Sequence, residues 1–496
     1  MDSCMTSRHA MKGDETPARP GIVLVNPPLL WGQEDRMDLK PPLNLMYLAS
    51  WLKHQGHAAP IIDTVSLRLP LEAVIERLVS LAPRFLGVPF YQGSRETTIC
   101  LCRAVKNRIP ELLIIGGGPL MTTFSEDLML EQSIDAGVLG EGELTLTELL
   151  ETADQAGWSR IPGLALRDAA GNVFRTPPRS PIESLDSLPF LDTSQPDLSP
   201  YSAFQEKLGM PRWLFLSSSR GCPFRCVFCA TPVLWPGPVR RLSVQRLIEE
   251  IRYHRRNDPA LGIGFMDDSF FSDKIWLNEF FNAIAAEHVR YCCIGRADHL
   301  DAHDAAQLAK TGCHYVALGV ETGNQTRQKT IRKFLDLKKV ETAVRALSAH
   351  GIITKCFFML GFPDETPAEM VETINFAVKL KKAGMSECNF FPVSVYPGTE
   401  LARGCDKSAF QSGIYTGYDR ENRAIDEFAP DARGEKRLSI YAGIPTSDIN
   451  AFLTHDQLLD LVKTAYVKVE KIEPMALGEF PPLQTPPRDI SGNTYR

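Results

Sequence analysis

Three cysteines at a fixed spacing are the first residues in this chain that could do chemistry. Cys222, Cys226 and Cys229 form a C-x-x-x-C-x-x-C series inside Arg220-Gly221-Cys222-Pro223-Phe224-Arg225-Cys226-Val227-Phe228-Cys229. Soft thiolates select zinc or iron–sulfur. A closed structural zinc site takes four protein ligands, and no fourth cysteine stands nearby. The nearest downstream histidine, His254, falls on a separate predicted helix. Iron–sulfur clusters are normally held by four thiolates. Three thiolates on a four-iron cluster leave one iron open, and an open metal position marks a catalytic site rather than a structural one.

The rest of the composition fits a globular protein, cytosolic by default. The chain has 496 residues, which predicts two or three domains. Apolar residues make up 44% and charged residues 23%, ordinary for a globular protein. Lys and Arg total 54 against 60 Asp and Glu, a formal charge of −6. That balance removes the electrostatic footprint of a dedicated nucleic-acid binder. No apolar run approaches the ~20 residues of a membrane span, and the first twenty residues carry no apolar signal segment. Twelve cysteines are too sparse for a disulfide scaffold. The nine outside the triad (Cys4, Cys100, Cys102, Cys292, Cys293, Cys313, Cys356, Cys388 and Cys405) are expected to pack as small hydrophobes.

The elements that must position the triad follow from hydrophobic periodicity. Residues 1–20 read as a leader. From Gly21, apolar runs at 22–25, 61–62, 85–88, 112–115 and 136–139 alternate with amphipathic segments, the first near 43–55 with Gly56 as its stop. Five strands alternating with helices over 21–160 predict an open parallel sheet, with ligands beyond the strands' carboxyl ends. Residues 161–210 read as a proline-rich linker with one small ribbon around Ala170-Gly171-Asn172. A second alternating series over 211–405 has strand runs at 213–216, 264–266, 292–294, 315–318, 355–360 and 389–393. It predicts a partial parallel barrel with its chemistry on the strand carboxyl ends. Residues 406–480 form a C-terminal region without a readable pattern, and 481–496 a polar, proline-rich tail.

The cysteine series after the first barrel strand resembles the radical S-adenosylmethionine (SAM) enzymes. The resemblance implies a 4Fe–4S cluster whose open iron is chelated by SAM, cleaved reductively to methionine and a 5′-deoxyadenosyl radical. Later strand ends match in order: Phe265-Met266-Asp267-Asp268, Arg296-Ala297-Asp298, Gly319-Val320-Glu321-Thr322-Gly323, Leu360-Gly361-Phe362-Pro363 and Tyr396-Pro397-Gly398-Thr399. By that resemblance Asp267 or Asp268 stands near the SAM ammonium, with a helix N-cap as the alternative role. Arg296, Glu321 and Gly361 join the SAM site, and Phe228 lies near adenine. A buried Glu321 requires a cationic or hydroxyl partner.

The N-terminal half resembles the cobalamin-binding domain that precedes many radical SAM cores. The likeness is carried by Asn26-Pro27-Pro28, Pro41-Pro42-Leu43-Asn44-Leu45-Met46-Tyr47-Leu48-Ala49, Gly116-Gly117-Gly118-Pro119 and Gly140-Glu141-Gly142-Glu143. Glycines after parallel strands let backbone amides approach a bulky ligand, here the corrin. Asn26, Pro27, Gly116, Gly117, Gly118, Gly140 and Glu141 are the implied cobalamin contacts, and Ser94 either faces the nucleotide base or is simply exposed. The D-x-H-x-x-G segment of many such domains is missing: Asn26-Pro27-Pro28-Leu29-Leu30-Trp31-Gly32 stands there, with no histidine before His54 after the first strand. The lower axial position is therefore expected not to be a histidine.

The α/β fold implied is a doubly wound cobalamin domain joined to a partial (β/α)6 radical SAM barrel. The activity implied is methyl transfer to an unactivated carbon or phosphorus, in the cytoplasm, on a small-molecule, peptide or lipid substrate. A flavodoxin- or ferredoxin-like protein would supply low-potential electrons. A cyclase or oxidase without net methylation is the alternative. A methylthiotransferase is disfavoured, because residues 21–160 hold only Cys100 and Cys102. A non-enzymatic metal-binding protein is the remaining reading.

Overall fold

The computed structural model describes residues 20–28, 40–207, 212–404 and 450–481. The leader (but for Pro20), Leu29 to Gly32, most of the expected C-terminal region and most of the tail lie outside the described residues.

Short apolar runs of β-branched and leucine residues make the first sheet, as their burial on both faces requires. Its strands are β1 (Ile22–Asn26), β2 (Ile61–Asp63), β3 (Phe85–Pro89), β4 (Leu113–Gly117), β5 (Ala136–Val138), β6 (Leu164–Arg167) and β7 (Val173–Arg175). They lie in the order β2-β1-β3-β4-β5-β6-β7. The first five are parallel as expected, and the chain reverses its direction of travel between β1 and β3, where such sheets bind ligands. The ribbon read as part of a linker is instead the edge of this sheet. β6 pairs antiparallel with β5 through Gly137 opposite Ala165, and β7 pairs with β6. Pairing β5 with the ribbon satisfies an edge that would otherwise expose its amides and carbonyls.

The second sheet holds six parallel strands in sequential order: β8 (Trp213–Leu216), then, after a two-residue ribbon of β9 (Ser219–Arg220) and β10 (Arg240–Arg241), β11 (Gly262–Phe265), β12 (Tyr291–Gly295), β13 (Cys313–Glu321), β14 (Ile353–Leu360) and β15 (Glu387–Pro392). With β8 and β15 at its edges it is the expected partial barrel. Its helices start where local chemistry dictates. Thr366 and Asp301 each form a capping box, and Pro367 opens the helix Pro367–Lys382.

The described part of the C-terminal region belongs to this barrel. The helix His455–Lys471 buries Leu458, Leu461, Val462, Ala465 and Val469 in the same core as the barrel strands. The two sheets also share packing. Val227, Ile331, Phe362, Val393 and Leu401 from the barrel side join one buried cluster with Val23, Leu86 and Met121 of the first domain. The two domains are thus joined by a shared apolar cluster. Cys102, Cys293, Cys313 and Cys356 are buried as expected, Cys292 and Cys388 are half-buried, and Cys100 is exposed.

Candidate active site

The cysteine loop leaves β8 and β9 and is pinned at its centre. Gly221, at φ +98°, turns the chain in a conformation that suits glycine, immediately before Cys222. The Val227 amide donates to the Ile331 carbonyl at 3.1 Å, and the Leu401 amide donates to the Val227 carbonyl at 2.9 Å. Cys222, Cys226 and Cys229 are half-buried free thiols. Burial raises all three, Cys226 to about 11, while Lys333 opposes the rise at each. Cys229 adds to the rise at Cys222 and at Cys226, so the triad forms one electrostatic group. Among the described residues no three Cys, His, Asp or Glu side chains converge on a point that one ion could occupy. Three soft thiolates on one loop are a donor set that suits an iron–sulfur cluster.

The residues around the loop form a charged frame. The Arg296 guanidinium lies 3.8 Å over the Phe224 ring, pairs with Asp298 at 2.8 Å and donates to the Lys333 carbonyl at 2.7 Å. Its Nη1 is buried without a partner. Lys333 donates to Glu321 at 2.8 Å, with both side chains about 90% covered (8% and 11% exposed). Glu321 therefore has the cationic partner its burial requires, supplied by a residue that sequence analysis did not single out. Glu321 takes φ +69°, beside an irregularity in the β13–β14 pairing. A non-glycine residue there is strained, and such strain gathers at functional positions. Phe228 packs edge-on against Phe362 at 6.0 Å.

The two aspartates after β11 separate cleanly, and neither caps the following helix, which Asp273 does. Asp267 is buried and spent inside the protein. It accepts from the Ser218 hydroxyl at 2.9 Å, from the Ser219 hydroxyl and from the Ser218 amide. Asp268 instead faces a cavity, accepts from Thr231 at 3.0 Å, and is raised by desolvation. It contributes to the charge felt by Cys222 and Cys229. Asp267 holds the β9 strand; Asp268 is the carboxylate available to a ligand.

That cavity, of about 390 Å³, lies between the two sheets. Gly116, Gly117, Gly118, Gly140 and Glu141 wall one side; Ser217, Arg220, Trp235, Met266 and Asp268 wall the other. A Cβ built on Gly117 or Gly140 meets no atom within 4 Å, so the backbone there is open to a bulky group. Gly116 differs, since its Cβ would meet Met121 at 2.6 Å and Phe90 at 3.0 Å; it serves packing. Gly118 has φ +83° over the Phe90 backbone at 3.3 Å. Open glycines at the carboxyl ends of β4 and β5 fit a bulky ligand laid on the strand ends.

Three expected contacts, Asn26, Gly361 and Glu141, have other partners. The Asn26 amide donates to Asp63 at 2.8 Å, Pro27 is buried, and neither reaches the cavity. The Gly361 amide donates to Glu365 at 2.7 Å, and a Cβ there would meet Leu458 at 2.5 Å, so Gly361 serves a tight turn against the C-terminal helix. Glu141 lines the cavity, but its carboxylate is held by Arg220, Arg240 and the Ile182 amide. Ser94 is buried rather than exposed, and its hydroxyl has no partner. Ser94 does not line the cavity.

Comparison with known proteins agrees with this geometry. Residues 216–377 match the Radical SAM superfamily and residues 39–150 match the B12 binding domain. An uncharacterized methyltransferase of Pyrococcus horikoshii is 30% identical over 73% of this chain and 77% of its own length. An anaerobic magnesium-protoporphyrin IX monomethyl ester cyclase of Synechocystis is 26% identical over 71% of each. The radical SAM methyltransferase TsrM from Kitasatospora setae, solved with cobalamin and a [4Fe-4S] cluster, shares the fold at a TM-score of 0.66 and 19% identity, over 94% of this chain and 93% of that one. The chain belongs to the cobalamin-binding radical SAM enzymes, whose chemistry draws on a 4Fe–4S cluster, SAM and cobalamin.

Proposed function

We propose that the chain transfers a methyl group to an unactivated carbon or phosphorus of a biosynthetic substrate held between the two sheets. The observation that carries this reading is the shared cavity, where the Gly117 and Gly140 backbone of the first sheet faces Asp268 and Arg220 of the cysteine-loop side. Cluster, SAM and cobalamin would together supply reductive SAM cleavage and a transferable methyl group; the protein supplies placement.

In this reading Cys222, Cys226 and Cys229 hold the cluster. Glu321 and Lys333 form a neutral, pre-oriented pair beside it, able to accept from and donate to the polar groups of SAM. Asp268 offers a carboxylate to the SAM ammonium, and Phe228 an aromatic edge to adenine. Arg296 stays fixed by Asp298 and by stacking on Phe224, which keeps the cysteine loop in register. Val227, Phe362 and Leu401 pack into one buried apolar cluster with the first domain, which would keep water from that side of the cysteine loop. Electrons would come from a flavodoxin- or ferredoxin-like donor in the cytoplasm. No helix among the described residues is long and apolar enough to cross a membrane.

The likeness to the Synechocystis cyclase favours a second reading, ring formation without net methylation. Product stoichiometry separates the two. Methyl transfer yields S-adenosylhomocysteine and 5′-deoxyadenosine in equal amounts, whereas cyclisation yields 5′-deoxyadenosine alone.

A further inference from the structure

The β9–β10 ribbon contains a pairing that a strand pair should avoid. Arg220 and Arg240 stand directly opposite each other in the antiparallel register. Like charges in that position repel. Two carboxylates from the other domain resolve the conflict. Glu141 lies 3.1 Å from Arg220 and also pairs with Arg240, while Glu143 pairs with Arg220. All four side chains are about nine-tenths buried, with exposures of 7% to 11%. Arg240 further donates to the Ile182 carbonyl at 2.6 Å, and the Ile182 amide donates to Glu141 at 3.1 Å. Arg220 is covered by the Trp235 ring at 5.3 Å.

The position of this network matters more than its strength. Buried ion pairs are weak contributors to stability, and their best-attested use is to set register. Here one end is attached to the open glycine turn, since Glu141 follows Gly140. The other end is attached to the cysteine loop, since Arg220 precedes Gly221 and Cys222. A guanidinium fork between two carboxylates fixes direction as well as distance.

We propose that Glu141, Glu143, Arg220 and Arg240 are positioning residues that set the separation of the corrin cradle from the cluster loop. The inference rests on the functional reading above. It predicts that the clamp governs transfer between the two cofactors rather than the binding of either.

The test removes all four charges together (Glu141→Gln, Glu143→Gln, Arg220→Met, Arg240→Met), because a single change would strand a buried charge and endanger folding. In the full-length protein loaded with cobalamin and cluster, pulsed electron paramagnetic resonance would measure the Co(II)–reduced cluster distance. The expected result is both cofactors retained, a distance distribution at least twofold broader, and methylated product reduced roughly tenfold relative to 5′-deoxyadenosine. An unchanged distribution overturns the proposal. Hydrogen exchange on the cofactor-free full chain gives a second measurement. Amides of residues 140–143 and 219–222 should both exchange at least tenfold faster in the variant, and unchanged rates in either segment overturn it. Wild-type protein that takes up no cobalamin would instead refute the functional reading, while the exchange measurement still decides whether the clamp couples the two loops.

Discussion

Lys333 donates a 2.8 Å hydrogen bond to Glu321, and both are almost fully removed from water. Glu321 sits at the end of β13 in a left-handed conformation, and Lys333 arrives from beyond the short helix Gln325–Thr330. Neither ion is tolerable there alone. The same lysine lies close enough to the cysteine loop to oppose the burial-driven rise of all three thiols.

Replacing Lys333 by Met should therefore destabilise the protein by about 3–5 kcal/mol, the usual cost of stranding a buried charge. Adding Glu321→Leu to that variant should recover most of the loss without restoring SAM binding. Urea unfolding and equilibrium SAM binding of the single and double variants check this. A double variant that binds SAM as wild type would remove the pair from the site.

A pH dependence follows from Glu365. Burial raises its carboxyl to about 7, against the opposing charge of Arg327 and hydrogen bonds from the Gly361 and Phe362 amides. Between pH 4.5 and about 7 the folded chain holds a proton that the unfolded chain has released, so stability falls as pH rises through that window and levels above it. The size is on the order of 3 kcal/mol at about 1.36 kcal/mol per unit. Glu365→Gln should flatten that slope. Urea midpoints from pH 5 to 8 test it, and an unaltered slope in the variant would assign the effect elsewhere.

Two neighbouring glycines should respond differently to enlargement. Gly117 has extended backbone and empty space over its Cα, so Gly117→Leu should fold normally and retain cobalamin roughly tenfold less tightly. Gly116 faces Met121 and Phe90, so Gly116→Leu should destabilise the domain outright. Corrin content after gel filtration, beside a thermal melt, distinguishes these outcomes. Normal corrin retention by Gly117→Leu would displace the cradle.

Much of this was legible before any coordinates. Runs of buried aliphatic residues placed the parallel strands of both sheets, and the spacing of Cys222, Cys226 and Cys229 singled out the loop after the first barrel strand. Burial arguments demanded a partner for Glu321 but could not name Lys333, because eleven residues and a helix intervene. Strand alternation ends at Phe265, so it could not say which of Asp267 and Asp268 would face the cavity. Gly361 matched a ligand-loop pattern, yet a glycine needed for a turn looks identical in sequence. The Arg220–Arg240 pairing was hidden because two-residue strands carry no periodicity. The helix His455–Lys471 did leave a signal: Leu458, Leu461, Val462, Ala465 and Val469 fall on one helical face behind the Thr454 capping box.

The most direct test of the account is electron paramagnetic resonance of the anaerobically reconstituted, reduced protein before and after adding SAM. A three-thiolate 4Fe–4S cluster with an open iron predicts a cluster signal whose g-values shift on SAM addition and which is lost when Cys222, Cys226 and Cys229 are replaced by Ala. A signal indifferent to SAM, or a stoichiometric zinc ion in place of the cluster, would contradict it.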